Sequence, residues 1–177
     1  MTRARSVIDE GMPATPWKLP PIIKVYEALG AVGDGRVRIE DARRAVVTSS
    51  DGSKNYEVEM SEDGREIASN DNASYWRGYL GYPAIAVLLE RGHYHAPANV
   101  SDALAGVAWK ELNTKFENDY AKTIVEVEKH VEQSGHDPDA VRSEADAVLA
   151  FLRELAPVRG KRSRPPAEKR APKSLKP

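Results

Sequence analysis

Residues 67–92 read Ile-Ala-Ser-Asn-Asp-Asn-Ala-Ser-Tyr-Trp-Arg-Gly-Tyr-Leu-Gly-Tyr-Pro-Ala-Ile-Ala-Val-Leu-Leu-Glu-Arg-Gly. Strand chemistry ends inside this stretch and helix chemistry begins. Asn70, Asp71, Asn72 and Ser74 carry short polar side chains that bond free backbone N–H groups at a helix start. Gly78 and Gly81 leave room for close backbone approach. Pro83 suits the first turn of a helix, where its missing N–H has no partner to lose. Ala84 to Leu89 is unbroken apolar surface, which predicts a helix over 83–92 buried on most sides and stopped by Gly92. Trp76, Arg77, Tyr79 and Tyr82 admit two readings. They are either the tight, buried entry to that helix or an exposed platform for stacking and hydrogen bonding.

Upstream, the chain alternates. Val37 and Ile39, then Ala45 to Thr48, Tyr56 to Met60 and Arg65 to Ser69 are β-prone runs. Asp51-Gly52 and Asp63-Gly64 sit between consecutive runs, a strong hairpin signal. The expectation is a three- or four-stranded antiparallel meander. Its apolar face carries Val37, Ile39, Tyr56, Val58, Met60 and Ile67 and packs on helices. Before it, apolar residues at 22, 25, 26 and 29 have helical spacing, and Gly33-Asp34-Gly35 ends that helix. Residues 1–20, with four prolines in 1–21, read as a flexible lead-in that becomes extended near Trp17.

Downstream, Ser101 and Asp102 can cap a long helix over 102–134 with the stripe Leu104, Val107, Ala108, Leu112, Phe116, Tyr120, Ile124, Val127 and Val131. Asp137-Pro138 opens a second helix carrying Val141, Ala145, Val148, Leu152 and Leu155. A short link between them implies an antiparallel helical hairpin. The fold class is therefore α+β. A core domain over 21–100 is followed by a helical hairpin over 101–156 and a disordered, basic, Pro-rich tail over 157–177.

Charge divides the chain. The formal net charge is -1. Residues 157–177 hold Arg159, Lys161, Arg162, Arg164, Lys169, Arg170, Lys173 and Lys176 against Glu168, or +7, which leaves -8 on the rest. A basic Pro-rich tail attracts polyanions by counterion release. With no cysteine, disulfides, thiolate catalysis and cysteine-held metals are excluded. The absence of an apolar leader and of a spanning segment points to a cytoplasmic protein without a membrane partner. His93 and His95 are too few for a structural zinc site, and Glu126 with His130 reads as a surface pair. No phosphate-loop or dinucleotide motif is present, so no cofactor and no catalytic set is expected.

From Val46 the order is Val-Val-x-Ser-Ser-Asp-Gly-Ser-Lys-x-Tyr-x-Val, then a polar segment, then Gly-Tyr-Pro-Ala-Ile-Ala-Val-Leu-Leu. This resembles the SWIM zinc-finger family, in which a hairpin and a Cys-x-Cys lead to Cys-x-His and an Ile-x-Ala-Val-Leu helix. Aligned on Ile85 to Leu88, the Cys-x-His positions fall on Gly81 and Pro83, and the Cys-x-Cys falls near Ser69 and Asp71. None of these is a good zinc ligand, so the resemblance implies a metal-free copy and carries over no site residue. What it implies about function is DNA binding and protein–protein contact.

The sequence thus points to a non-catalytic binding module. The first expectation is association with DNA or RNA through Trp76, Arg77, Tyr79, Tyr82, Arg159, Lys161, Arg162, Arg164, Lys169 and Arg170. The alternative is a protein-interaction or self-association module using helix 102–134, whose length would exceed what a small sheet covers.

Overall fold

The computed structural model describes residues 13–167. Helices cover one face of a five-stranded sheet, an α+β arrangement. Helix α1 (Ile23–Gly33) comes first, then strands β1 (Val37–Ile39), β2 (Arg44–Thr48), β3 (Asn55–Met60) and β4 (Glu66–Ser69). These four strands form the expected antiparallel meander, in sheet order β1-β2-β3-β4. The alternation in β3 works as read: Tyr56, Val58 and Met60 are buried while Asn55, Glu57 and Glu59 are exposed. Ile39 departs from it. It lies at the end of an edge strand three residues long and is 43% exposed.

The two Asp-Gly turns share one construction. Ser49 Oγ donates to Asp51 Oδ1, which also accepts from Ser53 N, while Ser49 Oγ accepts from Lys54 N. Ser61, Asp63, Arg65 N and Glu66 N repeat the pattern. Gly52 and Gly64 supply the left-handed backbone, at φ 72° and 71°.

Helix α2 (Tyr82–Glu90) is the centre of the core. Pro83 to Leu89 are all buried, and α2 packs against α1 and against β1 to β4. A helix enclosed on nearly every side must be apolar all round, which is why 84–89 has no polar face.

The helix expected over 102–134 is three helices: α3 (Ala98–Ala103), α4 (Trp109–Lys115) and α5 (Tyr120–Gln133). Gly106 at φ 76° separates the first pair, and Glu117 and Asn118 at φ 52° and 62° separate the second. Asp119 then caps α5, accepting from Lys122 N. Each piece packs on the same core, through Leu104 and Val107, then Leu112, then Tyr120, Ile124, Val127 and Val131, whereas Ala108 of the expected stripe is exposed and Trp109 is buried in its stead. Periodicity alone therefore joined them. The length argument for self-association goes with the single helix. Helix α6 (Pro138–Leu155) starts as read, with Asp137 accepting from Asp139 N. It contacts α5, and Arg142 pairs with Glu128 of α5 at 2.9 Å.

The tail does not begin at 157. Val158–Arg159 form β5, which pairs in parallel with β4, Glu66 opposite Val158. The lead-in is clamped beside it: Trp17 N donates to Pro157 O, Arg159 N to Thr15 O, and Trp17 Nε1 to Ile67 O. Residues 1–12 of the expected lead-in and 168–177 of the expected tail lie outside the described residues.

Candidate functional site

The polar stretch after β4 folds into a knot around a buried carboxylate. Asp71 is 4% exposed. It accepts from Ser69 Oγ at 2.6 Å, Ser74 N at 3.0 Å and Ser74 Oγ at 2.6 Å. Ser74 Oγ accepts in turn from Gly81 N at 3.0 Å. Buried charge is tolerated when its lone pairs are filled in this way. Asn70 adds a second tie, its Oδ1 accepting from Glu57 N of β3. These residues do not cap α2, as their order suggested. They hold a five-residue π-helical turn, Ala73–Arg77, that Gly78 ends at φ 74°. Wide turns of this kind are rare and often accompany functional sites.

The π turn pushes its aromatics outward. Trp76 is 70% exposed. Its ring meets Tyr75 edge to face, with centroids 4.6 Å apart. The Arg162 guanidinium lies 4.0 Å over the Tyr75 ring, and Arg162 Nη2 donates to Tyr75 O. Arg159 donates to Gly78 O and stacks 4.9 Å from Trp17. The chain beyond β5 is thereby fastened along the π turn, and its cations arrive beside the aromatics.

Two grooves border the π turn, and Trp76 lines the first. One, of about 540 Å³, is open and lined by Lys24, Asn72, Ala73, Trp76, Arg77, Tyr79 and Tyr120. The other, of about 40 Å³, is lined by Trp17, Ala68, Ser69, Ser74, Tyr75, Arg159, Gly160, Lys161 and Arg162. Together they present Lys24, Arg77, Arg159, Lys161 and Arg162, and no carboxylate among the described residues lining them. Lys24 Nζ sits 5.2 Å from the Tyr120 ring centroid. Burial alone would lower the Lys24 pKa, but the charge and hydrogen bond of Glu27 outweigh it, so Lys24 titrates above its ordinary value and stays cationic. Burial, and then Tyr120, raise the Tyr79 hydroxyl, which stays protonated.

Of the residues singled out in sequence, Trp76, Arg77, Tyr79, Arg159, Lys161 and Arg162 meet on this face. Tyr82 does not. It heads α2, half-buried, and lines a different cleft with Tyr56. Arg164 is exposed beyond both groove walls. Lys169 and Arg170 lie outside the described residues. Sequence reasoning missed Tyr75, Trp17, Lys24 and Tyr120. Tyr75 stands next to Trp76 and could have been taken with it. The other three reach the site from distant parts of the chain and carry no local signal. Among the described residues no group of three or more His, Asp or Glu is placed to hold a metal, and His93 and His95 belong to none. No described helix is long and apolar enough to cross a membrane.

One family model matches residues 17–158, from the tryptophan under Arg159 to the start of β5. The chain belongs to the family described as uncharacterised conserved protein UCP014422. The match spans β1 to β4, all six α-helices and the π turn, so most of the fold and the aromatic half of the site lie within it. The cations from Arg159 to Arg164 follow its end. No curated protein and no solved structure matches the chain.

Proposed function

We propose that this protein is a non-catalytic module that binds single-stranded nucleic acid across the π turn. The observation that carries this reading is Trp76, a large aromatic held 70% exposed on a turn that a buried hydrogen-bond knot makes rigid. Isolated exposed apolar residues are ordinary. A tryptophan lining a carboxylate-free groove, with Arg77, Arg159, Lys161 and Arg162 along the same turn on a chain of net charge -1, is a different situation. Bases stack on Trp76 and on the tyrosines beside it, and the cations take the phosphates. The basic residues beyond 167 extend the same electrostatic attraction. The SWIM resemblance supports the same direction. Ser69, Asp71 and Gly81, three of the four positions on which its ligands would align, stand together in the knot, while Pro83 opens α2.

The test is fluorescence anisotropy of the full chain with labelled single-stranded DNA and RNA across a salt series. Stacking of one base is worth about 1–3 kcal/mol, so Trp76→Ala is expected to weaken binding about 5- to 150-fold. Its melting temperature should stay unchanged, because the side chain removed is mostly in solvent. Absence of binding at low salt, or equal binding by Trp76→Ala, refutes the reading.

A further inference from the structure

The face of the sheet turned away from the core carries no helix among the described residues. The register turns Arg38, Arg44, Glu57, Glu59 and Glu66 to that side. Its charges are uneven. Arg38 pairs with Glu40 at 3.0 Å and Arg44 with Asp41 at 2.8 Å. Arg43 is shared between Glu59 at 3.5 Å and Glu66 at 4.0 Å. Glu57 is exposed and has no ion pair among the described residues. Arg38, Arg43 and Arg44 thus stand among five carboxylates, those of Glu40, Asp41, Glu57, Glu59 and Glu66.

A groove of about 150 Å³ crosses this face, and Glu40, Arg44, Glu57, Glu59, Lys161 and Ser163 line it. The chain beyond β5 enters it from the sheet. Gly160 N donates to Ile67 O at 2.8 Å, and a Cβ at 160 would stand 3.2 Å from that of Ala68, so the backbone there runs against β4. Lys161 and Ser163 then reach the groove, while Arg162 between them reaches Tyr75 O at the π turn. Pro165 and Pro166 are half-buried. Residues 168–177 continue the chain from Ala167 with Lys169, Arg170, Lys173 and Lys176 against Glu168 alone. Ten extended residues reach roughly 33 Å, whereas the outer strands of a five-stranded sheet are roughly 19 Å apart. The segment is therefore long enough to cross the face.

We propose that residues 168–177 dock along this groove, their lysines and Arg170 pairing with Glu40, Glu57 and Glu59. The occupant is this chain's own segment because Lys161 and Ser163 already lead it there, and because it brings cations to a face short of them. The acceptors are open to it: Glu57 is exposed, and the side chains of Glu40 and Glu59 are 39% and 53% exposed. Exposed pairs are weak one by one and are screened by salt, so the contact is reversible. A polyanion and the sheet face then compete for the same cations. Only that consequence rests on the nucleic-acid reading; the docking itself does not.

The chain has no cysteine, so Ser174→Cys places a nitroxide spin label at one position of the full chain. The readout is broadening of backbone amide signals in two-dimensional NMR, with no nucleic acid present. At low salt the strongest broadening is expected at Val46, Glu57, Glu59 and Ala68, on the open face. It should fade at about 1 M salt, where screening is nearly complete. Glu57→Gln combined with Glu59→Gln removes two exposed pairs and should weaken docking about 2- to 30-fold, read as lost broadening at the same amides. No broadening on this face at low salt, stronger broadening elsewhere, or equal broadening in the doubly substituted chain would each overturn the proposal. So would broadening of isotope-labelled chains mixed with separate spin-labelled ones, which would assign the groove to a second copy. The salt and mixing arms keep both glutamates, so the test stands even if the double substitution fails to fold.

Discussion

Gly81 and Asp71 should behave as one unit in a double-mutant cycle. Gly81 has φ -72° and ψ 163°, ordinary extended backbone that alanine adopts without strain. The obstacle is the carboxylate. A Cβ at 81 would overlap Asp71 Cγ and Oδ1 and stand 2.6 Å from Oδ2, and neither partner is a flexible side-chain end. Overpacking of a buried site costs about 1–3 kcal/mol. Pushing the carboxylate aside also weakens its three hydrogen bonds, so Gly81→Ala should lose about 3 kcal/mol. Asp71→Ala leaves Ser74 N and two hydroxyls without their acceptor, and about 3 kcal/mol is expected there too. In the double variant the added methyl occupies space the carboxylate has vacated. The total should then stay near about 3 kcal/mol instead of reaching about 6. Urea denaturation of the four proteins at pH 7, followed by circular dichroism, measures all three costs. A double variant whose loss equals the sum of the singles within about 0.5 kcal/mol would refute the packing argument. So would a Gly81→Ala loss below about 1 kcal/mol.

Two further outcomes follow from the same geometry. Truncation after 156 removes Pro157 O, Val158 N, Arg159 N and Gly160 N from their backbone bonds. It should cost about 2–4 kcal/mol at about 1 kcal/mol each, read as a fall in melting temperature; a stability equal to that of the full chain would deny β5 a structural role. The hydrogen bond from Lys110, with those from Ser53 and Ser49, holds the Asp51 carboxyl below its usual 3.8 despite some opposing burial. A depressed folded pKa gives stability that is present above pH 3.8 and lost as pH falls from there. The advantage of the parent over Asp51→Asn should thus be less than about 1 kcal/mol at pH 7, the pair being partly exposed, and shrink below pH 3.8. An advantage that grows on acidification would contradict the assigned cause.

Much of this fold was legible because its signals are local. The alternation of Tyr56, Val58 and Met60, the paired Ser-x-Asp-Gly turns, the all-apolar run 84–89 and the Asp137-Pro138 start each state a conformation within a few residues. The sequence by itself therefore determined α1, the meander, α2 and α6. Tertiary structure decided the rest. A continuous apolar stripe does not distinguish one helix from three that share a core, so the breaks at Gly106 and at Glu117-Asn118 emerged only when α3, α4 and α5 were packed. Val158–Arg159 is too short for any periodicity, and it became a strand because β4 offered it an open edge. Trp76 lay between two readings until the Asp71 knot turned it outward. Arg162 and Tyr75 are 87 positions apart, and Glu27 and Asn113 are 86 apart. Contacts at that separation cost chain entropy that only the assembled core offsets, and so they leave no trace in the local pattern of residues.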